Sequence, residues 1–450
     1  MYSEEVEKFL KKSRVTVGDT VRISKKKLVQ EGVLLPRIEL GDQSSLVLKL
    51  SNGYNVGIKF EEGLKIKKIG PTVKFGLIPK MKIKHRPDLP SVSLIATGGT
   101  IGTHVDYKTG GVYMCRKPEE ILATTPELEN IVNLKSLLRP FTVASEDMTY
   151  KHCQNLAETT AKELKKCDGV IITHGTDCLH YTAAVLSFML KDLTKPVVLT
   201  GAQRSPDRGS FDGKMNLICS GYFAGHAPMG EVVVVMHGST NDDFCYAHRG
   251  TKVRKLHTSR RDAFRSVNDL PLAKIWPNGK IEVVNQNHVK RDKKTVKVDT
   301  RFEPRTALVK VYPNSDPSII DWYIQKGYRG IVLEGTGLGH VPTGESGTTK
   351  QFEKNISWIP FIKKAVDRGI VVVVTSQCLY GRTHPFVYRN LRLLGEAGAV
   401  FGEDMLPEVA YVKLACLLGR NKDPEKVKRL MLTNLVGEIT KETLPETFLM

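Results

Sequence analysis

The chain has 450 residues and a net charge of +19, a length that suggests roughly two to four domains. No apolar run reaches the ~20 residues of a bilayer span, and the N-terminal MYSEEVEKFLKKSRV lacks the apolar stretch of a secretory leader. The eight cysteines show no CxxC spacing, which argues against a zinc site or a disulfide framework and for reduced thiols in a cytoplasm.

Residues 1–14 read as a short amphipathic helix. VGDTVRI, GVLLPRI, SSLVLKL, YNVGIKF and LKIKKI follow as short alternating runs separated by Gly-Asp, Ser-Asn-Gly and Glu-Glu-Gly turns. That grammar predicts a small β-barrel or meander over residues 17–85, which with the helix makes an N-terminal unit of residues 1–85. Residues 86–90 make a proline-bearing linker.

From residue 91 the pattern changes. VSLIA, GVIIT, KPVVLT, GEVVVVM, GIVLE and GIVVVVT alternate with helical segments, which implies a parallel sheet covered on both faces. The boundaries predicted are an α/β unit at 91–290, a charged linker at 291–306 and a smaller α/β unit at 307–450, with DPEKVKRLMLTN as a terminal helix. TGGTIG, HGTD, GAQRSPD, HGSTND, GTGLG and SQCLYG follow these runs. Ligands of open α/β sheets bind beyond the carboxyl ends of the strands, so the chemistry is expected there.

The positive charge is uneven. Residues 1–90 hold nineteen Lys/Arg against ten Asp/Glu, and residues 249–310 hold seventeen against six. A localised excess points to a polyanion partner, with a solvated basic face as the alternative.

Each motif admits a plain structural reading. TGGTIG is neither GxGxxG nor a P-loop; its threonines can cap a tight turn, or offer the hydroxyls of Thr97 and Thr100 to a ligand. The next stretch, THVDYKTGGVYM, is a candidate lid. In HGTD, Thr176 can be the N-cap of the following helix with Asp177 at its positive end, or the pair can face a ligand. Lys255 can be an ordinary surface lysine, or can meet Asp177 in a cleft and tune a proton relay. His174 reads as structural.

TGGTIG, HGTD and GAQR at successive strand exits, followed by KLHTSRRDAFRSVN, together resemble the bacterial-type L-asparaginase/glutaminase family over residues 91–450. The resemblance implies a larger flavodoxin-like domain and a smaller α/β domain. It also implies that Thr100 is the nucleophile attacking a side-chain amide, and that Thr176, Asp177 and Lys255 form the relay. Ser145 and Glu146 match the stretch that grips the substrate's α-amino and α-carboxylate groups, with glutamate where glutamine is common. Tyr113 matches the lid tyrosine, with Tyr107 as its competitor. No metal is implied.

Residues 1–90 are foreign to a plain asparaginase. With the basic segments, they resemble the D-subunit branch found in archaeal glutamyl-tRNA(Gln) amidotransferases. That resemblance implies a cytoplasmic glutaminase with no cofactor of its own and no membrane contact. It further implies a homodimer core, and a partner, the E subunit, that uses ATP and Mg²⁺ to amidate Glu-tRNA(Gln) with ammonia from glutamine. A free-standing cytoplasmic L-asparaginase is the alternative.

Overall fold

The computed structural model describes residues 2–26, 28–37, 42–51, 55–73, 85–105, 112–114, 118–206, 209–344 and 356–448; of these, 104, 105, 112–114 and 118 are described by backbone alone.

At the N-terminus, helix Glu4–Lys12 starts at Ser3, whose hydroxyl accepts from the Val6 amide at 3.4 Å. Its Val6 and Leu10 share a small core with Val21, Ile23, Leu46 and Leu48. Those residues lie on a five-stranded antiparallel sheet in which strand Asp19–Lys25 pairs with Leu28–Leu34 on one side and Lys65–Thr72 on the other. Alternating burial in strand Ser45–Lys49 fits a sheet with one wet face.

The larger α/β unit is built on an eight-stranded sheet. Five strands, Asn133–Leu138, Ser91–Ala96, Gly169–Thr173, Val197–Thr200 and Val232–His237, run parallel in that spatial order. Three antiparallel strands, Cys245–Arg249, Ala273–Ile275 and Ile281–Val283, extend it. These three strands carry short, mixed sequences without a long apolar run, which is why the sequence pattern does not announce them. The parallel strands are apolar throughout because both faces are covered. Val170 and Ile172 join the core under helices Tyr150–Leu164 and Leu179–Met189, while Ile171 joins the core under helix Gly213–His226.

The smaller unit has four parallel strands, Thr306–Lys310, Gly330–Gly335, Val371–Ser376 and Val400–Phe401. One face packs on helices Ile319–Gln325, Ile359–Asp367 and Arg389–Glu396; the other packs on Pro407–Arg420 and Pro424–Met431. The last of these is the terminal helix expected from DPEKVKRLMLTN, with the Asp423 carboxylate accepting from the Glu425 amide at 3.0 Å. Helix Pro407–Arg420 also lends Val409, Val412 and Cys416 to the core beneath Gly169–Thr173. The two α/β units therefore share apolar packing directly below the HGTD strand.

The connection between them is not a free linker. Lys297–Val298 pairs with Leu190–Lys191, and Arg420 donates to the carbonyls of Phe188 and Asp299, both at 2.9 Å.

Candidate functional site

Three loops meet backbone to backbone at the carboxyl ends of neighbouring strands. Thr97, at the end of Ser91–Ala96, donates from its hydroxyl to the Thr173 carbonyl at 3.0 Å. Gly98 and Gly99 follow with φ of 118° and 85°. A Cβ on Gly99 would meet the backbone of His174 and Gly175, and one on Gly175 would lie 2.8 Å from the Ser145 side chain. At Gly99 only glycine permits both the left-handed backbone and the close approach. TGGT, HGTD and SED thus form one packed layer.

Thr100 opens the short 3₁₀ turn Thr100–Gly102 and is half-buried. Its carbonyl accepts from the Thr103 hydroxyl at 2.6 Å, which leaves the turn fastened behind it. The next strands, Thr103–Val105 and Val112–Met114, pair as a hairpin. Tyr113 lies on the second of these by its backbone, whereas Tyr107, with the rest of residues 106–111 of the candidate lid, falls outside the described residues.

Thr176 and Asp177 converge with a residue 78 positions on from Asp177. Lys255 Nζ donates to Thr176 Oγ1 at 2.9 Å and to Asp177 Oδ1 at 2.7 Å. Thr176 is buried and the Lys255 side chain is 10% exposed, while the Asp177 side chain is 65% exposed. The hydroxyl and the ammonium are thereby sheltered, and the carboxylate is open to solvent on one side. Lys255 reaches the pair from strand Val253–Lys255, held by Phe264–Ser266 across a two-stranded ribbon.

The capping role expected of Thr176 is filled differently. Helix Leu179–Met189 begins after Cys178, with no side-chain cap of its own. The Ser145 hydroxyl, from another loop, accepts from the Cys178 amide at 3.3 Å. Ser145 is buried and leans on Gly175, and the neighbouring Glu146 is exposed with its carboxylate 3.4 Å from the Ser145 hydroxyl. Of the residues singled out in the sequence, Thr176, Asp177 and Lys255 form one hydrogen-bonded cluster. Thr100 and Ser145 enter through the glycine contacts, and Glu146 flanks the site.

His174 is fully buried. Its Nδ1 faces the Gly175 carbonyl at 2.7 Å and its Nε2 faces the Thr182 hydroxyl at 2.9 Å. A carbonyl can only accept, so Nδ1 carries the proton and Nε2 takes the one from Thr182. Burial pulls the ring's pKa down to about 4, and the residue is a neutral strut.

Several supporting residues carry no sequence signal. Arg254 points away from Lys255 along its strand, and its guanidinium lies 3.6 Å from the buried Glu408 carboxylate at the start of helix Pro407–Arg420. The same carboxylate is 3.8 Å from His180. Burial raises the pKa of Glu408, and it lowers that of His180 to about 3, with Arg254 next. Lys252 forms a fully buried pair with Asp404 at 2.7 Å. Asn268, in FRSVN at φ 57°, donates to the carbonyls of Gly381 and Asp404 and accepts from the Gly381 amide. Alternation along Val253–Lys255 could have told Arg254 from Lys255; nothing local could have named partners more than a hundred residues away. In GAQR, the buried Asp212 accepts from the amides of Gln203 and Arg204, and burial raises its pKa.

No group of His, Cys, Asp and Glu among the described residues is arranged to hold a metal ion, and no helix among them is long and apolar enough to cross a membrane. The chemistry available is that of a threonine hydroxyl held against a lysine–aspartate pair.

Comparison with known proteins agrees with this layout. Residues 91–289 match the family described as Asparaginase, N-terminal, residues 305–431 match the Glutaminase/Asparaginase C-terminal domain, and residues 15–69 match the GatD N-terminal domain. The chain is 50% identical to the D subunit of glutamyl-tRNA(Gln) amidotransferase from Pyrococcus furiosus, with 99% of each chain covered. It is 45% identical to the corresponding D subunit from Methanopyrus kandleri, covering 97% of this chain and 94% of that one. Among solved structures it resembles the thermostable L-asparaginase of Thermococcus kodakarensis (TM-score 0.67, 25% identity) over 78% of this chain and 100% of that one. It likewise resembles L-asparaginase I of Vibrio cholerae (TM-score 0.65, 29% identity), over 78% and 99%.

Proposed function

The chain belongs to the asparaginase family, in its glutamyl-tRNA(Gln) amidotransferase D-subunit branch, and from that membership we propose that it hydrolyses glutamine to supply ammonia to a partner protein. The supporting observation is the sheltered contact of Lys255 with both Thr176 and Asp177.

In this reading the Thr100 hydroxyl attacks the side-chain amide carbon of glutamine. The hydroxyl proton passes to the leaving nitrogen, and the C–N bond of the tetrahedral adduct breaks to release ammonia and leave an ester on Thr100. Water, activated by the Thr176–Asp177–Lys255 cluster, then hydrolyses the ester to glutamate and regenerates the hydroxyl. Backbone amides at the strand tips stabilise the oxyanion. Ser145 and Glu146 hold the amino acid's charged end, and Tyr113 closes over it from the hairpin. The chain needs no cofactor of its own. ATP and Mg²⁺ act in the partner, the E subunit, which amidates Glu-tRNA(Gln), and two copies of this chain form the core of the assembly.

Ammonia release from glutamine by the chain alone is to be compared with release in the presence of the E subunit, ATP and Glu-tRNA(Gln). Stimulation by the full set is the expected result. The likeness to two L-asparaginases favours a second reading, a free-standing asparaginase. Strong asparagine hydrolysis that the partner leaves unchanged would select that reading and sink the first.

A further inference from the structure

The connection between the two α/β units is a cationic ribbon fixed to the end of the sheet opposite the threonine cluster. Residues 290–301, KRDKKTVKVDTR, hold six Lys/Arg against two Asp. The backbone of this segment is tied down: Asp292 and Thr194 exchange bonds, amide to carbonyl at 2.9 Å and hydroxyl to carbonyl at 3.1 Å. Lys297–Val298 pairs with Leu190–Lys191. Arg291 is spent inward, its guanidinium donating to the carbonyls of Gly225, Ala227 and Asp168.

With the main chain and Arg291 committed, the remaining lysines face outward. Lys290, Lys293, Lys294 and Lys297 are all exposed, and so are Lys165 and Lys166 in the turn that Arg291 grips. Lys297 pairs with Asp192 at 2.9 Å and Lys294 with Asp292 at 3.7 Å at the surface, where such pairs contribute little, while Lys166 reaches the buried Glu163 carboxylate at 3.1 Å. Beside the ribbon runs a cleft of about 880 Å³ that takes in Lys294, Lys297 and the half-buried Lys191.

We propose that this ribbon, its neighbouring turn and the cleft form a docking surface for the phosphodiester backbone of RNA. Lysines on a fixed main chain match a row of phosphates as point charges. The ribbon carries no aromatic residue on which a base could stack, so the contact follows the backbone and does not read sequence. Strand Gly169–Thr173 separates this end from HGTD by about 17 Å, so RNA can sit here without blocking the threonine site. The inference extends the glutaminase reading but is tested apart from it, because RNA binding is measured without glutamine.

The probe is a fluorescently labelled tRNA transcript, titrated with the full-length chain over a series of KCl concentrations. The variant Lys290→Ala/Lys293→Ala/Lys294→Ala/Lys297→Ala is compared with Lys326→Ala/Lys363→Ala/Lys364→Ala/Arg368→Ala, which removes the same charge from the smaller unit. The ribbon variant should bind at least ten-fold more weakly, and the slope of log affinity against log salt should fall by about 3. Amide hydrolysis should be unchanged, and the milder Lys293→Ala/Lys294→Ala should give an intermediate loss. Equal affinity for wild type and ribbon variant, or equal loss in the two quadruple variants, overturns the proposal. So does a ribbon variant that binds tRNA normally and loses only its association with a protein partner.

Discussion

A Cβ built on Gly99 would collide with the amide nitrogen of Gly175. The loop carrying Thr100 and the loop carrying Thr176 are therefore in register because neither has a side chain at the point of contact. Gly99 also sits at φ 85°, so a substitution meets strain and collision at once. Gly99→Ala should destabilise the protein by on the order of 3 kcal/mol and reduce amide hydrolysis even at temperatures where it stays folded. A variant with unchanged Tm and turnover would show that the loops are not locked together.

Lys255 touches both members of the Thr176–Asp177 pair. Lys255→Met keeps the stem and removes the charge. It should lower kcat by about 10³-fold with little change in assembly or Tm. Thr100→Val should abolish turnover to a similar extent and should leave no trapped ester on incubation with glutamine. Near-normal turnover in either variant, measured as ammonia released, refutes the role assigned to that residue.

The Lys252–Asp404 pair is fully buried, so removing one member strands the other. Lys252→Met should cost about 3–5 kcal/mol, since Asp404 is left with its bonds to Thr440 in place of an ion pair. Lys252→Met/Asp404→Leu should cost less than the sum of the single changes. Unfolding followed by circular dichroism across the four proteins of the cycle gives the coupling directly, and strict additivity would contradict the pairing.

His174 makes stability depend on pH in a defined direction. Its folded pKa is about 4 against an unfolded value of ~6.5. The unfolded chain therefore binds the proton more readily across that interval. The contribution is fully present above pH ~6.5 and is lost as pH falls toward the folded value, at a slope of roughly 1.4 kcal/mol per unit. His174→Gln should flatten the stability profile between these limits, relative to wild type measured in the same buffers. An unchanged slope would mean that the ring is not held neutral.

Much of the layout is legible in the chain. The apolar runs ending in Gly, Thr and Asp locate the parallel strands and their exits, because burial on both faces forces such runs and a ligand end forces small polar residues after them. HGTD and KLHTSRRDAF become legible as a site only through their joint resemblance to the family, because Thr176 and Asp177 alone read as a helix start and Lys255 alone as a surface lysine. The layer behind them is illegible for the opposite reason. Glu408 and Asp404 look like helix-start carboxylates in FGEDMLPEVA, and only the packing of helix Pro407–Arg420 on Leu179–Met189 turns them toward Arg254 and Lys252. The Ser145 cap on Cys178 is similarly hidden, since it joins two loops that the sequence separates by a whole helix.

The bolting of strand Val253–Lys255 to Asp404 and Glu408 sets an order of events during synthesis. When Lys255 leaves the ribosome, the carboxylates that seat its strand have yet to be made. The Thr176–Asp177 pair must wait for its lysine to be fixed until nearly the whole chain has emerged. A nascent or truncated polypeptide ending before residue 404 would carry every residue of the threonine cluster without the carboxylates that Lys252 and Arg254 reach on either side of it.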